Sequence, residues 1–192
     1  MSMHRFRLLF TASMLHMSFV SSLGFSEAPP RPVVRSFDRS LNLDTAPTTS
    51  ASASVGDLNS DGFLDIVLAR GRHWPESNRV LLGDGAGNFA GVALGPSPDR
   101  TYSAALADLN GDGSLDMIVG YDTGRSSVFF NDGSGHRFVE TAWNDGVGAV
   151  YGLAVGDFNG DGWPDIVTAR SEGLNAIWFS DPIKDETLNA SP

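Results

Sequence analysis

Short apolar runs separated by polar, glycine-rich turns repeat along the chain with a period near 50 residues. In each period an apolar run leads into an acidic loop, a second leaves it, a third ends at a glycine-rich turn, and an aromatic residue opens a fourth. No segment keeps a helical period, whereas turns such as DGAGN and DGSGH suit β-hairpins. This pattern predicts an all-β chain of three β-propeller blades, each a four-stranded antiparallel repeat of about 50 residues.

The aromatic residue that opens the fourth run lies at a fixed distance before the next acidic loop. Phe89 and Phe138 precede that loop by 19 residues, and Phe37 precedes the first loop by 20. The segment FDRSLNLD, from Phe37, is therefore predicted to be the fourth strand of a blade whose other strands do not come before it. The last unit, NAIWFSDP, has a third strand without a fourth. Because unpaired strand edges attract other strands, we expect self-association, most simply a two-fold dimer with six blades.

The acidic loops carry the candidate chemistry. Each has oxygen-bearing side chains at positions one, three, five and nine, a glycine at six, and a main-chain carbonyl available at seven. Calcium takes about six to eight oxygens at ~2.3–2.6 Å, and a loop curling around it turns alternate side chains inward. The predicted ligands are Asp57, Asn59, Asp61, Phe63 and Asp65 in the first loop, Asp108, Asn110, Asp112, Ser114 and Asp116 in the second, and Asp157, Asn159, Asp161, Trp163 and Asp165 in the third.

An EF-hand and a plain polar turn are the competing interpretations of these loops. An EF-hand loop ends in a bidentate Glu at its twelfth position and lies between helices. The twelfth residue here is Leu68, Val119 or Thr168, and the flanking runs are β-prone, so the EF-hand is excluded. A hairpin turn rich in Asn, Asp and Gly is common. Three copies in register nevertheless favour metal binding.

With its DxNxDGxxD loops followed by Ile-Val, the chain resembles the FG-GAP/VCBS repeat family, which includes the propellers of integrin α-chains. The resemblance covers roughly residues 37–181 and implies calcium in each loop, about three ions per chain, and a propeller of seven blades or a similar number. The chain departs from the pattern in encoding three blades and in having Asp181-Pro182 where the third glycine-rich turn belongs. A fragment, a ring completed by several chains and an open array all stay possible. The integrin ligand contacts lie outside the repeated motif and do not carry over.

Charge and cysteine content narrow the function classes. The net charge of −10 argues against nucleic acid as a partner. Nine aspartates lie in the acidic loops, so three calcium ions would bring the net charge to about −4. The chain has no cysteine, which excludes disulfides and thiol chemistry and leaves metal sites as the means of stapling an exported protein.

The N-terminal residues predict export. Residues 1–26 have a basic start, an apolar run and small residues before Glu27, as in a cleaved signal peptide; the alternative is a retained membrane anchor. A proline-rich linker, 27–36, the repeat domain, 37–181, and a tail, 182–192, complete the organisation. The expected location is secreted or cell-surface, in the periplasm or outside the cell.

The predicted function is an adhesion or ligand-binding module for a protein or carbohydrate, with calcium mainly structural. Candidate contacts are His73 and Trp74 in one loop and Trp143 in another, although such aromatics can equally cover seams between blades. The alternatives are a polysaccharide-active enzyme and a spacer or fragment of a larger propeller protein. The side chains available for catalysis are Arg72, His73, Tyr102, Tyr121 and His136, which form no recognisable catalytic motif, so no enzyme activity is expected.

Overall fold

The computed structural model describes residues 36–123, 125–143 and 145–180. The chain divides into two compact units, Met1–Ser40 and Leu41–Pro192. Of the first unit only residues 36–40 are described, and they contain no helix or strand. The signal peptide, the linker up to residue 35 and the tail lie outside the described residues and stay predictions.

The described residues contain strands and no helix, as the pattern of short apolar runs predicts. In this part of the chain no helix is long and apolar enough to cross a membrane. The strands are β1 (Ser50–Gly56), β2 (Asp65–Arg70), β3 (Glu76–Gly83), β4 (Phe89–Asp99), β5 (Thr101–Ala107), β6 (Asp116–Tyr121), β7 (Ser126–Asn131), β8 (Phe138–Trp143), β9 (Ala149–Gly156), β10 (Asp165–Ser171) and β11 (Ala176–Trp178).

Neighbouring strands pair antiparallel in chain order to form three separate sheets. Blade 1 has the order β1-β2-β3-β4, blade 2 the order β5-β6-β7-β8, and blade 3 the order β9-β10-β11. The predicted all-β class and blade-like units are confirmed. Fourth strands begin at Phe89 and Phe138 as the aromatic spacing predicts, and blade 3 has three strands within the described residues.

The predicted strand from Phe37 to Asp44 does not form within the single chain: no strand lies in residues 36–49, and β1 begins at Ser50. A strand needs a neighbour for its backbone N–H and C=O groups, and Phe37 is 96% exposed. Asp44 is held by side chains instead, since its Oδ1 accepts from Arg79 Nη1 at 2.8 Å and lies 3.6 Å from Arg70 Nη2.

Successive side chains of a strand point to opposite faces, so the middle blade serves two seams. Met117 and Val119 on β6 face blade 1, whereas Ile118 between them faces blade 3. Seam 1 buries Leu58, Val67, Val80, Leu82 and Leu94 of blade 1 against Met117, Val119, Tyr121 and Phe129 of blade 2. Seam 2 buries Ile118 and Val128 of blade 2 with Ile166 of blade 3, and Trp143 and Trp178 are partly buried beside them.

Because the strands are antiparallel, the connections between them lie at two opposite ends of each sheet. The acidic loops join first to second strands and therefore lie at the same end of each sheet as the turns after β3 and β7. The loops after β2, β6 and β10, and the links into β5 and β9, lie at the other end, called here the distal end. The residues around His73 and Tyr102 are thus distal, at the opposite end from every predicted calcium ligand.

Candidate metal centres

The first aspartate of each acidic loop organises the turn by accepting backbone hydrogen bonds. Asp57 Oδ1 accepts from the N–H of Asp61 at 3.1 Å, and its Oδ2 accepts from that of Gly62 at 2.9 Å. The same two bonds recur at Asp108, at 3.2 and 2.9 Å, and at Asp157, at 3.2 and 2.9 Å. These N–H donors lower the pKa of Asp157, the largest cause being the bond from Gly162.

The glycine at position six is required by backbone conformation. Its φ is +87° at Gly62, +88° at Gly113 and +89° at Gly162, in the region that L side chains rarely adopt. A Cβ at any of the three would have open space around it, so crowding is not the reason for glycine. Position four is also left-handed, and there the first loop has Ser60, with φ +57°, which the sequence pattern did not predict.

Positions three and five form a second layer of hydrogen bonds. Asn59 Nδ2 donates to Asp61 Oδ2 at 2.9 Å, and Asp61 Oδ1 accepts from the Phe63 N–H at 2.9 Å. Loops 2 and 3 repeat both bonds at 2.8 Å. In loop 2 the N–H of Ser114 is the largest cause lowering the pKa of Asp112.

The ninth aspartate of each loop is fully buried and joins the loop to the third strand of its blade. Asp65 Oδ2 accepts from the Leu58 N–H at 2.7 Å, and its Oδ1 accepts from the Gly83 N–H at 2.8 Å. All four equivalent distances are 2.9 Å, for Asp116 with Leu109 and Asn131 and for Asp165 with Phe158 and Ser180. Sequence reasoning predicted a ligand at this position and missed its link to the third strand.

Negative charge at position nine is poorly compensated by the protein. Within the described residues none of the three buried aspartates forms an ion pair with a basic side chain. Burial raises the pKa of Asp116, and the nearby charges of Asp112 and Asp108 raise it further, while the N–H groups of Asn131 and Leu109 act in the opposite direction.

Comparison with known families places these loops in a repeat. The model of the FG-GAP-like repeat matches residues 57–119 and 108–168. Each match runs from the first aspartate of one acidic loop to just past the next, and together they cover more than half of the 192 residues. The chain belongs to the FG-GAP-like repeat family. No match was found among curated proteins.

The FG-GAP-like loops have donor chemistry that suits a hard cation. Each loop brings three carboxylates and one amide, and a carboxylate oxygen that accepts one hydrogen bond keeps a lone pair for a metal. In the structure no three Asp, Glu, His or Cys side chains among the described residues converge on one point. The carboxylates instead face N–H donors, including the third-position amide. Calcium binding at the fifteen predicted ligands therefore stays a prediction.

The side chains at position seven pack on neighbouring turns. A Cβ on Gly85 would lie 2.2 Å from the Phe63 ring, and a Cβ on Gly111 would lie 2.9 Å from the Trp163 ring. Trp163 of loop 3 thus covers loop 2 of the adjacent blade. The prediction for position seven concerns only its carbonyl, so this packing adds a second role.

Asn131 bridges two acidic loops across seam 1. This buried side chain donates from Nδ2 to the carbonyls of Leu58, at 2.7 Å, and Leu115, at 3.1 Å. Its Oδ1 accepts from the N–H groups of Gly133 and Gly135, both at 3.1 Å. Loops 1 and 2 are therefore coupled through one amide, a contact between residues 73 positions apart that spacing could not reveal.

Among the residues considered for catalysis, Arg72 lies near Tyr102 at the distal end, whereas Tyr121 and His136 lie elsewhere. Tyr121 is buried in seam 1, where burial raises its pKa. His136 lies in the turn after β7, and His73 lies at the distal end of blade 1. Trp143 packs edge-on against Trp178, with ring centroids 5.6 Å apart, so it covers seam 2, whereas Trp74 is 72% exposed.

Proposed function

We propose that this protein is an exported, calcium-binding module of β-propeller repeats that serves adhesion or ligand binding. Each acidic loop would hold one calcium ion, about three per chain, through the aspartates, asparagines and seventh-position carbonyls named above. The ion would supply positive charge that fixes the loop; the chain's own residues supply the oxygens and the N–H network that orients them. We expect no catalytic activity, and a protein or carbohydrate as the ligand.

The observation that supports a structural role for calcium is the buried ninth aspartate. Its two oxygens already connect the start of the loop to the end of the third strand, as at Asp65 with Leu58 and Gly83. A buried carboxylate without a basic partner is costly. A cation sharing this carboxylate would offset that cost and tighten three strands of the blade together.

Counting bound ions tests the proposal. Calorimetric titration of the protein should give about three ions per chain, with dissociation constants near ~10⁻⁴–10⁻³ M as in other extracellular modules. Asp157→Ala should remove one ion. Asp84→Ala is the matched control, because Asp84 lies at the same end in a turn outside the loops, where its main contact is a hydrogen bond from Asn88. Three ions retained in Asp157→Ala, or none bound by the unaltered protein, would contradict the assignment.

Self-association is part of the proposal. Blade 3 ends, within the described residues, in the three-residue strand β11, and Ile177 and Phe179 there are about half exposed. Such an edge favours pairing with a second copy. Light scattering of the protein with and without residues 27–45 separates the outcomes. A monomeric mass for both would refute strand donation, and a dimer lost on deletion would support it.

A further inference from the structure

Each first strand carries a β-bulge at the same place in the repeat. Pairing passes from Ser50 to Ser52 in blade 1 and from Thr101 to Ser103 in blade 2, leaving Ala51 and Tyr102 as the extra residues. In blade 3 the extra residue is Tyr151. These positions are 51 and 49 residues apart, the same spacings as between the first aspartates of the acidic loops. The bulge is thus a feature of the repeat.

A bulge redirects a side chain away from the regular alternation of its strand, and bulges are enriched near functional sites. Here two of the three bulges carry tyrosine. The rings of Tyr102 and Tyr151 lie with centroids 4.5 Å apart at an interplanar angle of 56°. Tyr151 keeps 52% of its surface exposed, which a residue used only to fill a seam would not need. The pair therefore presents aromatic surface at the distal end.

A cavity of about 400 Å³ opens beside the pair, a volume in the range of small-ligand sites. Polar groups line it together with the two rings: Tyr102, Asp122, Thr123, Tyr151, Ser171 and Glu172. Glu172 has φ +61°, an uncommon conformation for a residue other than glycine. Strained backbone of this kind is often found at binding sites.

The charged side chains that line the cavity, Asp122 and Glu172, are both acidic, and this indicates the ligand class. Asp122 accepts from Arg100 Nη1 at 3.0 Å. Arg72 lies outside the cavity lining but close enough for its charge to act on the Tyr102 hydroxyl. An anionic ligand would be repelled by the two carboxylates of the lining, which can accept hydrogen bonds. A neutral ligand with many hydroxyls can bond to these groups and place an apolar face on the rings.

We propose that the bulged tyrosines and the polar groups around them bind a neutral sugar residue of a polysaccharide or glycoconjugate. Tyrosine suits this role because its ring offers an apolar face and its hydroxyl a polar tip. The inference rests on the ligand-binding part of the proposed function and is independent of calcium, since the acidic loops lie at the opposite end of the sheets.

Saturation-transfer NMR and calorimetry with neutral oligosaccharides of glucose, xylose and N-acetylglucosamine test the site. At least one should bind, and Tyr151→Ala should weaken it about tenfold or more, whereas Tyr151→Phe should change it less than about threefold. Leu174→Ala is the control, because Leu174 is an exposed apolar side chain in the distal loop after β10 and lies outside the cavity lining. Thermal melting shows that each variant is folded.

Two results would overturn the inference: no binding by any neutral oligosaccharide at millimolar concentration, or binding lost in Leu174→Ala and kept in Tyr151→Ala. Preferential binding of oligogalacturonate would also contradict it, since the charges around the cavity give an anion no advantage. Failure of this inference leaves the calcium count unaffected. Absence of calcium with intact sugar binding would instead contradict only the calcium part of the proposed function.

Discussion

Seam 1 and seam 2 join the same kinds of sheet, yet they are built differently. Within the described residues seam 1 buries nine side chains, and seam 2 buries three. Seam 2 relies on partly buried aromatics, with Arg170 lying 4.9 Å over the Trp178 ring. Blade 1 contributes β4 to seam 1 through Leu94, whereas blade 3 has no described fourth strand. Among the described residues, the seam between two four-stranded sheets therefore buries more side chains than the seam that involves the three-stranded sheet.

Seam 1 also has more polar contacts than seam 2 at the end of the third strand. At the end of the third strand, blade 2 has Asn131, which bonds to both adjacent loops, whereas blade 3 has Ser180 at the equivalent place. Within the described residues the Ser180 side chain forms no hydrogen bond, and a cavity of about 320 Å³ lies beside it. Seam 1 thus links loop to loop through a buried amide, while seam 2 has a cleft at the corresponding position.

The largest expected loss of stability comes from truncating one of two neighbouring residues on β6 that face opposite seams. Met117→Ala should destabilise the protein by about 4 kcal/mol, near the upper part of the range for core truncations, because the closed seam 1 cannot collapse around the lost volume. Ile118→Ala should cost about 2–3 kcal/mol, because the seam 2 cleft lets neighbours relax. Urea unfolding of both variants measures the difference. Equal losses would show that the two seams are equally tight.

The second prediction concerns a variant that lacks the Asn131 side chain, which bridges loops 1 and 2. Asn131→Ala should cost on the order of 2–4 kcal/mol, because the carbonyls of Leu58 and Leu115 and two N–H groups lose their partner in a buried place. Ser180→Ala is the matched control and should change stability by less than about 0.5 kcal/mol. Urea unfolding under the same conditions tests the pair. A loss below about 1 kcal/mol for Asn131→Ala would mean that solvent replaces the bridge.

The sequence predicts the elements of this fold better than the contacts between them. Period and turn chemistry correctly predict the sheets and the start of β4 at Phe89, because both depend on nearby residues. In the sequence Asn131 resembles an ordinary turn residue. Its partner Leu58 belongs to another repeat, so the local pattern does not reveal the contact. The predicted strand at Phe37 fails because spacing cannot supply a neighbour to pair with. Trp143 could serve either a ligand or a seam, and only packing against Trp178 decides for the seam.

A third prediction compares the predicted calcium sites in loop 1 and loop 3. It rests on the proposed function. In calcium at ten times the dissociation constant, each ion contributes about 1.4 kcal/mol. Asp157→Ala should cost about that amount. Asp57→Ala should cost about 2 kcal/mol, because loosening loop 1 also disturbs the bond from Asn131 to Leu58. Thermal and urea unfolding with calcium and with chelator measure both, and equal costs would rule out coupling through Asn131.

The smallest expected effect is a gain, obtained by giving seam 2 the amide of seam 1. The cavity beside Ser180 is lined by Leu109 and Pro164, the counterparts of the two residues whose carbonyls Asn131 binds. Ser180→Asn should therefore stabilise the protein by about 0.5–1 kcal/mol.

The expected gain in stability comes only from the NH₂ group of the new amide, because its oxygen would lack one of the N–H partners that Asn131 has. In blade 2 the amide oxygen accepts from Gly133, two residues along the chain, whereas the corresponding residue in blade 3 is Pro182, which has no N–H. Ser180→Asp is the control, since it has similar size and lacks the NH₂ donor. Urea unfolding that places Ser180→Asn at or below Ser180→Asp would show that the missing bridge does not explain the weaker seam.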